Sequence, residues 1–221
     1  TGGIWTALWN AGEETFYRTD DRPSPHNCYT SADRLIEATK KLCYSREYDK
    51  DYDGHYQFAG DDQTVTFTDP ATHIEPGYEV NEPWFDYNAD EGVYYRYQYG
   101  DAQIDQLTGD QLKYDNVIFS FANLTADDHG YLAIEAEKGG TAYVFTKGTY
   151  EKCTWTKDDI ESPARYFDED GNEITINQGK TWVCVVYDTK EDQIVMIKKI
   201  QNIYPVAGAS AWFAARGNKE V

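Results

Sequence analysis

Val93-Tyr94-Tyr95-Arg96-Tyr97-Gln98-Tyr99 alternates with a period of two, placing Val93, Tyr95, Tyr97 and Tyr99 on one face of an extended strand. The next apolar run repeats the pattern with Val117, Phe119 and Phe121. Upstream, from about Gln63, Val65 and Phe67 alternate with threonines. Downstream, short strands are expected over Tyr131–Ala136, Ala142–Thr146, Glu151–Thr156, Glu173–Ile176 and Thr181–Val186. Gly139-Gly140, Lys147-Gly148, Asp170-Gly171 and Gln178-Gly179 punctuate them. Short strands at regular spacing with such turns read as a mainly antiparallel sheet. Asp170-Gly171, between Phe167 and Ile174, is a hairpin signal.

One clear helix precedes this region. Thr30 offers an N-cap, with Asp33 three residues on. Ala32, Leu35, Ile36, Thr39 and Leu42 recur at helical spacing, and Lys40 and Lys41 complement the dipole of the last turn. A second, short helix is a candidate over Ala207–Ala215, between Pro205 and Gly217. The fold class is therefore α+β: mainly antiparallel sheet, one clear N-terminal helix and a candidate short C-terminal one. Helix gives way to strands between Cys43 and Gly60, so the division expected is 1–48 and 49–221.

Composition narrows the function. The 221 residues include 20 basic and 39 acidic side chains, a formal charge of -19. Such a surface repels phosphate backbones and anionic head groups, and nucleic acid is not an expected partner. Hydrophobic residues make up 40%, enough for a normal core. The 19 tyrosines suit half-buried strands, and exposed aromatic faces would also stack on sugar rings. Trp84, Tyr87 and Tyr94 are the aromatics to inspect for exposure. The chain begins at Thr1 rather than methionine and reads as a mature or trimmed fragment.

Asp49-Lys50-Asp51-Tyr52-Asp53-Gly54 opens like a Ca2+ loop of the EF-hand type, which takes carboxylates at its first, third and fifth positions. The bidentate glutamate expected at position 12 is replaced by Gly60, so a solvated acidic loop competes with Ca2+ binding by Asp49, Asp51 and Asp53. No other cofactor is expected. There is no GxSxG, HExxH or glycine-rich phosphate loop. His26, between Pro25 and Asn27 ahead of the helix, is the candidate general base, against a structural histidine pinning the loop.

Three stretches resemble the YerB-like bacterial lipoproteins, chiefly their carboxy-terminal domain. The first is Arg22-Pro23-Ser24-Pro25-His26-Asn27-Cys28-Tyr29-Thr30-Ser31. The second runs from Tyr95-Arg96 through Gly100, Asp105, Thr108-Gly109 and Leu112 to Asn116-Val117-Ile118. The third is Ser162-Pro163-Ala164-Arg165-Tyr166-Phe167-Asp168, then Gly171, Ile174, Gly179 and Thr181-Trp182-Val183. Ala102 and Gln103 depart from a Pro-His pair of the family, and Cys28 from an aliphatic residue. The resemblance implies that residues 1–48 are a remnant of an amino-terminal α+β domain and that residues 49–221 are a β-rich domain with a C-terminal extension. It implies an extracytoplasmic site, held to the bacterial membrane by a lipid anchor outside this sequence, and no established activity. Two readings of function follow. One is a non-catalytic cell-envelope module binding a glycan, peptide or protein. The other is an envelope-acting hydrolase using His26 and nearby carboxylates. Arg96, Asp105, Asn116 and Arg165, with Trp84 and Tyr87, are the candidate binding residues. Turn and ladder roles compete for Asp105 and Asn116, and salt bridges for the arginines.

Four cysteines are present. Cys153 and Cys184 sit in expected strands, each two residues from a tryptophan, and are expected to form a disulfide. A helix of about 12 residues between Cys28 and Cys43 would span about 18 Å, so both are expected to be free and buried.

Overall fold

The computed structural model describes residues 15–47, 54–126, 132–159 and 162–197. It divides into two compact units, residues 1–54 and 55–221.

In the first unit, β1 (Tyr17–Arg18) pairs antiparallel with β2 (Cys28–Tyr29), and α1 spans Ala32–Lys41. Ser31, not Thr30, is the N-cap: its hydroxyl accepts from the Arg34 N–H at 3.3 Å. Thr30 instead turns its hydroxyl to the Thr15 carbonyl at 2.6 Å. The helix ends in a Schellman pair, Tyr44 N–H to Thr39 O at 2.9 Å and Cys43 N–H to Lys40 O at 3.1 Å. That motif needs a left-handed residue, and Cys43 supplies it at φ 58°. Cys43 is consequently exposed and Cys28 half-buried, which corrects the expectation that both are core residues. Cys43→Gly is expected to raise stability by about 0.5–1 kcal/mol, because glycine meets no Cβ penalty there. A chemical-denaturation midpoint that stays level or falls would contradict this.

The second unit opens with β3 (Gln57–Phe58), β4 (Asp69–Pro70), β5 (His73–Glu75), β6 (Trp84–Asn88), β7 (Val93–Gln98), β8 (Asp101–Ala102) and β9 (Lys113–Tyr114). It continues with β10 (Asn116–Ala122), β11 (Leu124–Ala126), β12 (Leu132–Ile134), β13 (Gly140–Thr146) and β14 (Thr149–Thr156). The last strands are β15 (Arg165–Phe167), β16 (Thr175–Ile176), β17 (Thr181–Tyr187) and β18 (Val195–Ile197).

Two six-stranded sheets dominate. The first runs β15-β14-β13-β10-β17, with β4 also on β14; the second runs β18-β5-β6-β7-β8, with β9 also on β7. Pairing is mostly antiparallel, as alternation and turns predict. The exceptions are β10 with β17 and β16 with β3, which are parallel. The β13–β14 hairpin turns on Lys147-Gly148, both at positive φ, as a two-residue loop demands.

Val117, Phe119 and Phe121 of β10, Tyr143 and Phe145 of β13, and Cys184 and Val186 of β17 face Ile74, Phe85 and Tyr94 of the second sheet. The opposite side of β10 carries Ile118 and Ala122, packed with Ala142, Val144, Cys153, Trp155 and Tyr166. Every residue of β10 is therefore buried, as a central strand covered on both sides must be. Burying one Phe side chain such as Phe119 contributes about 2–3 kcal/mol.

Two expectations fail here, the first for a reason of register. Cys153 and Cys184 are on β14 and β17, with β13 and β10 between them. Following the pairs, Cys184 aligns with Phe119 and Tyr143, whereas Cys153 aligns with Ala142 and Ser120. That one-residue offset puts the thiols on opposite faces, and no disulfide joins them. No strand forms at Val65–Phe67 either. Side chains take the place of a ladder: Asn177 accepts from Val65 N–H at 2.9 Å, and Thr149 accepts from Phe67 N–H at 2.9 Å. The candidate helix over 207–215 lies outside the described residues.

Candidate functional site

The second sheet divides the tyrosine-rich run into two faces. On β7, Tyr94 and Arg96 point inward and are buried, while Val93, Tyr95 and Tyr97 point outward and stay partly accessible. On β6, Phe85 and Tyr87 point inward, and Trp84 and Asp86 outward. Trp84 is opposite Tyr97, with the rings stacked at 4.8 Å and 4°. The Trp84 indole N–H donates to Asp86 Oδ2 at 3.1 Å.

The other Asp86 oxygen, Oδ1, lies 2.7 Å from His73 Nδ1, and His73 Nε2 lies 3.0 Å from Glu75 Oε1. Partial burial disfavours the charged imidazole, but the two carboxylate hydrogen bonds outweigh it and raise the His73 pKa to about 9. At neutral pH a protonated His73 therefore holds both carboxylates in place. A line of charged and aromatic groups, Glu75, His73, Asp86, Trp84 and Tyr97, crosses three adjacent strands. Tyr95 extends it on β7, its hydroxyl donating to Glu91, which also pairs with Lys113. Aromatic rings beside fixed carboxylate acceptors are equipped to stack on a sugar ring while accepting from its hydroxyls.

The remaining candidates divide between structural and unexplained placements. Tyr87 and Tyr94 face the core, and the Tyr94 hydroxyl donates to the Ala71 carbonyl at 2.8 Å. Asp105 accepts from the Leu107 and Thr108 N–H groups at 2.9 and 2.8 Å, bonds that lower its pKa and brace the turn to Asp110. Arg165 meets Glu173 at 3.1 Å across the Asp170-Gly171 hairpin. Asn116 is fully buried. Its amide donates to the Asn177 carbonyl at 2.7 Å and the Thr181 hydroxyl at 3.2 Å, and its oxygen accepts from the Thr146 hydroxyl at 2.8 Å. Asn177 in turn donates to the Thr146 hydroxyl at 2.7 Å and to the Val65 carbonyl at 2.8 Å. This closed network ties β10, β13 and β17 to two irregular segments. Asn177, its second hub, carries no signal in the sequence.

Arg96 is different. It is 4% exposed, yet among the described residues no carboxylate lies within ion-pair distance. Its guanidinium is 4.3 Å from the Trp182 ring and donates to Gln98 Oε1 at 3.1 Å.

His26 belongs to the first unit, where it is exposed. The adjacent Asn27, not His26, pins the loop: it accepts from Arg18 at 2.7 Å and donates to the Thr19 carbonyl at 2.7 Å. Arg96 and Asp105 belong to the second unit. Asp49, Asp51 and Asp53 lie outside the described residues, among which no group of three or more His, Cys, Asp or Glu is arranged to hold a metal ion.

Residues 74–183, which contain most of these groups, match the family described as protein of unknown function (DUF3048), C-terminal domain. The crystal structure of the YerB protein from Bacillus subtilis shares the fold, with a TM-score of 0.68 at 22% identity. The match covers 86% of this chain and 62% of that one, so this chain spans less than two thirds of that structure. No curated protein matches.

Proposed function

We propose that this chain, whose residues 74–183 are a YerB-like domain of unknown function, is a non-catalytic binding module of the cell envelope, and that it stacks a neutral polysaccharide on the outer face of its second sheet. The observation that carries the reading is the Trp84–Tyr97 pair, parallel to within 4° and locked through Asp86 and His73. A platform fixed before the ligand arrives loses little freedom on binding. The charge of -19 favours a neutral partner over a polyanion. Placement outside the cytoplasm, with a lipid anchor in the full-length protein, belongs to the same proposal and rests on the family resemblance. His26, exposed in the first unit, adds no buried catalytic group to the hydrolase alternative.

Affinity electrophoresis through gels containing neutral envelope glycans tests the platform. The wild-type chain is expected to be retarded. Trp84→Ala and Tyr97→Ala are each expected to weaken binding about 10-fold or more, the loss of about 1–2 kcal/mol of ring stacking. Tyr87→Phe, on the inner face, should migrate like wild type. Equal retardation of all four proteins, or none for the wild type on any neutral glycan, would remove the reading.

A further inference from the structure

Arg96 is on the same strand as the aromatic platform but on the other side of the sheet. Its Nε–H is buried and makes no hydrogen bond, and the side-chain oxygen of Gln103 is likewise buried without a donor. The two residues are neighbours, since Gln103 N–H donates to the Arg96 carbonyl at 3.1 Å. The groups facing the guanidinium are neutral. Burial pushes the Cys184 thiol up to about 12 and raises the Tyr78 and Tyr114 hydroxyls. In a chain of 39 carboxylates, the one buried arginine in this sheet is thus left with an aromatic face and a glutamine as partners. A buried cation without a counter-charge is costly, and the second orphan, on the residue facing it across the β7–β8 register, adds its own desolvation cost.

We propose that Arg96 and Gln103 form a binding site for a small oxyanion that also carries an O–H donor, an α-hydroxy carboxylate or a hydrogen phosphate. The anion's oxygen accepts from Arg96 Nε and neutralises the guanidinium. Its hydroxyl donates to Gln103 Oε1. Trp182 covers the other face of the charge. Tyr78, Tyr114 and Trp182 surround the guanidinium, and each keeps part of its surface accessible. This site is independent of the glycan reading, because none of its residues is on the outer face.

Calorimetric titration with lactate, inorganic phosphate and acetate, at constant ionic strength in chloride, tests the site and separates the two sources of the anion. Lactate or phosphate is expected to bind at least 10-fold more tightly than acetate, which has no hydroxyl to offer. Gln103→Leu should erase that preference while leaving acetate binding unchanged. Arg96→Gln should weaken all three by 100-fold or more. If Arg96→Gln does not fold, the lactate-to-acetate ratio in Gln103→Leu decides the matter. Two results overturn the site. One is heat no greater than the chloride control for every anion, as a water bridging the two orphan atoms would give. The other is an unchanged lactate-to-acetate ratio in Gln103→Leu.

Discussion

Asn116→Ala is expected to destabilise the β-rich unit by about 3–5 kcal/mol, well above the typical cost of a point substitution. The substitution leaves the buried Asn177 carbonyl and Thr146 hydroxyl, and the half-buried Thr181 hydroxyl, without their Asn116 partner. Each such group costs about 1–3 kcal/mol when stranded, and the removed side chain leaves a void besides. Asn177→Ala, which frees both backbone groups of Val65 as well, should cost a similar amount. Because the two residues share Thr146, the double variant should be less destabilised than the sum. Urea unfolding of the three variants measures this. A loss below about 1 kcal/mol for Asn116→Ala would mean that solvent or a rearranged side chain satisfies the network, and would discard its structural role.

The second large effect is a dependence of stability on alkaline pH. His73 titrates at about 9 in the folded chain against 6.5 for an unperturbed histidine. Its folded pKa is raised, so the stabilisation is fully present below pH 6.5 and is lost as pH rises through 9. The half-exposed Asp86 screens the pairing, so the expected loss across that window is about 1–2 kcal/mol rather than the full linkage value. His73→Gln should be less stable than wild type by that amount at pH 6 and nearly equal to it near pH 9.5. Denaturation midpoints of both proteins across this range give the comparison. Parallel curves with a constant offset would show that His73 is not the titrating group.

The local rules were legible in the sequence. Period two located β7, β10 and β17, and Asp170-Gly171 and Lys147-Gly148 located hairpins, because strand alternation and positive-φ turns depend only on nearby residues. The faces were not. Alternation sorts residues 93–98 into two sets, but tyrosine occurs in both and serves equally as core or surface. A charged residue would ordinarily mark the outer set, and here Arg96 belongs to the inner one. Charge therefore points the wrong way, which is why the sequence alone groups Tyr87 and Tyr94 with Trp84, whereas Tyr97 and Tyr95 share its outer face. The cysteines failed similarly: each shares a face with its neighbouring tryptophan, but which faces coincide depends on pairings across four strands. Asn177 was hidden because its partners, Val65 and Thr146, are distant in sequence.

The parallel pairing of β10 with β17 joins Asn116 to Thr181 across 65 residues of chain. Closing so long a loop is entropically slow, whereas the β10–β13 and β13–β14 ladders can form from nearer neighbours. During synthesis, a strand buried over its entire length must therefore wait with one edge unmatched until Thr181–Tyr187 has emerged. An exposed apolar edge of that kind invites pairing with other chains, so aggregation during biogenesis is the hazard this topology creates. A nascent chain arrested before Thr181 would need a chaperone to keep β10 from finding the wrong neighbour.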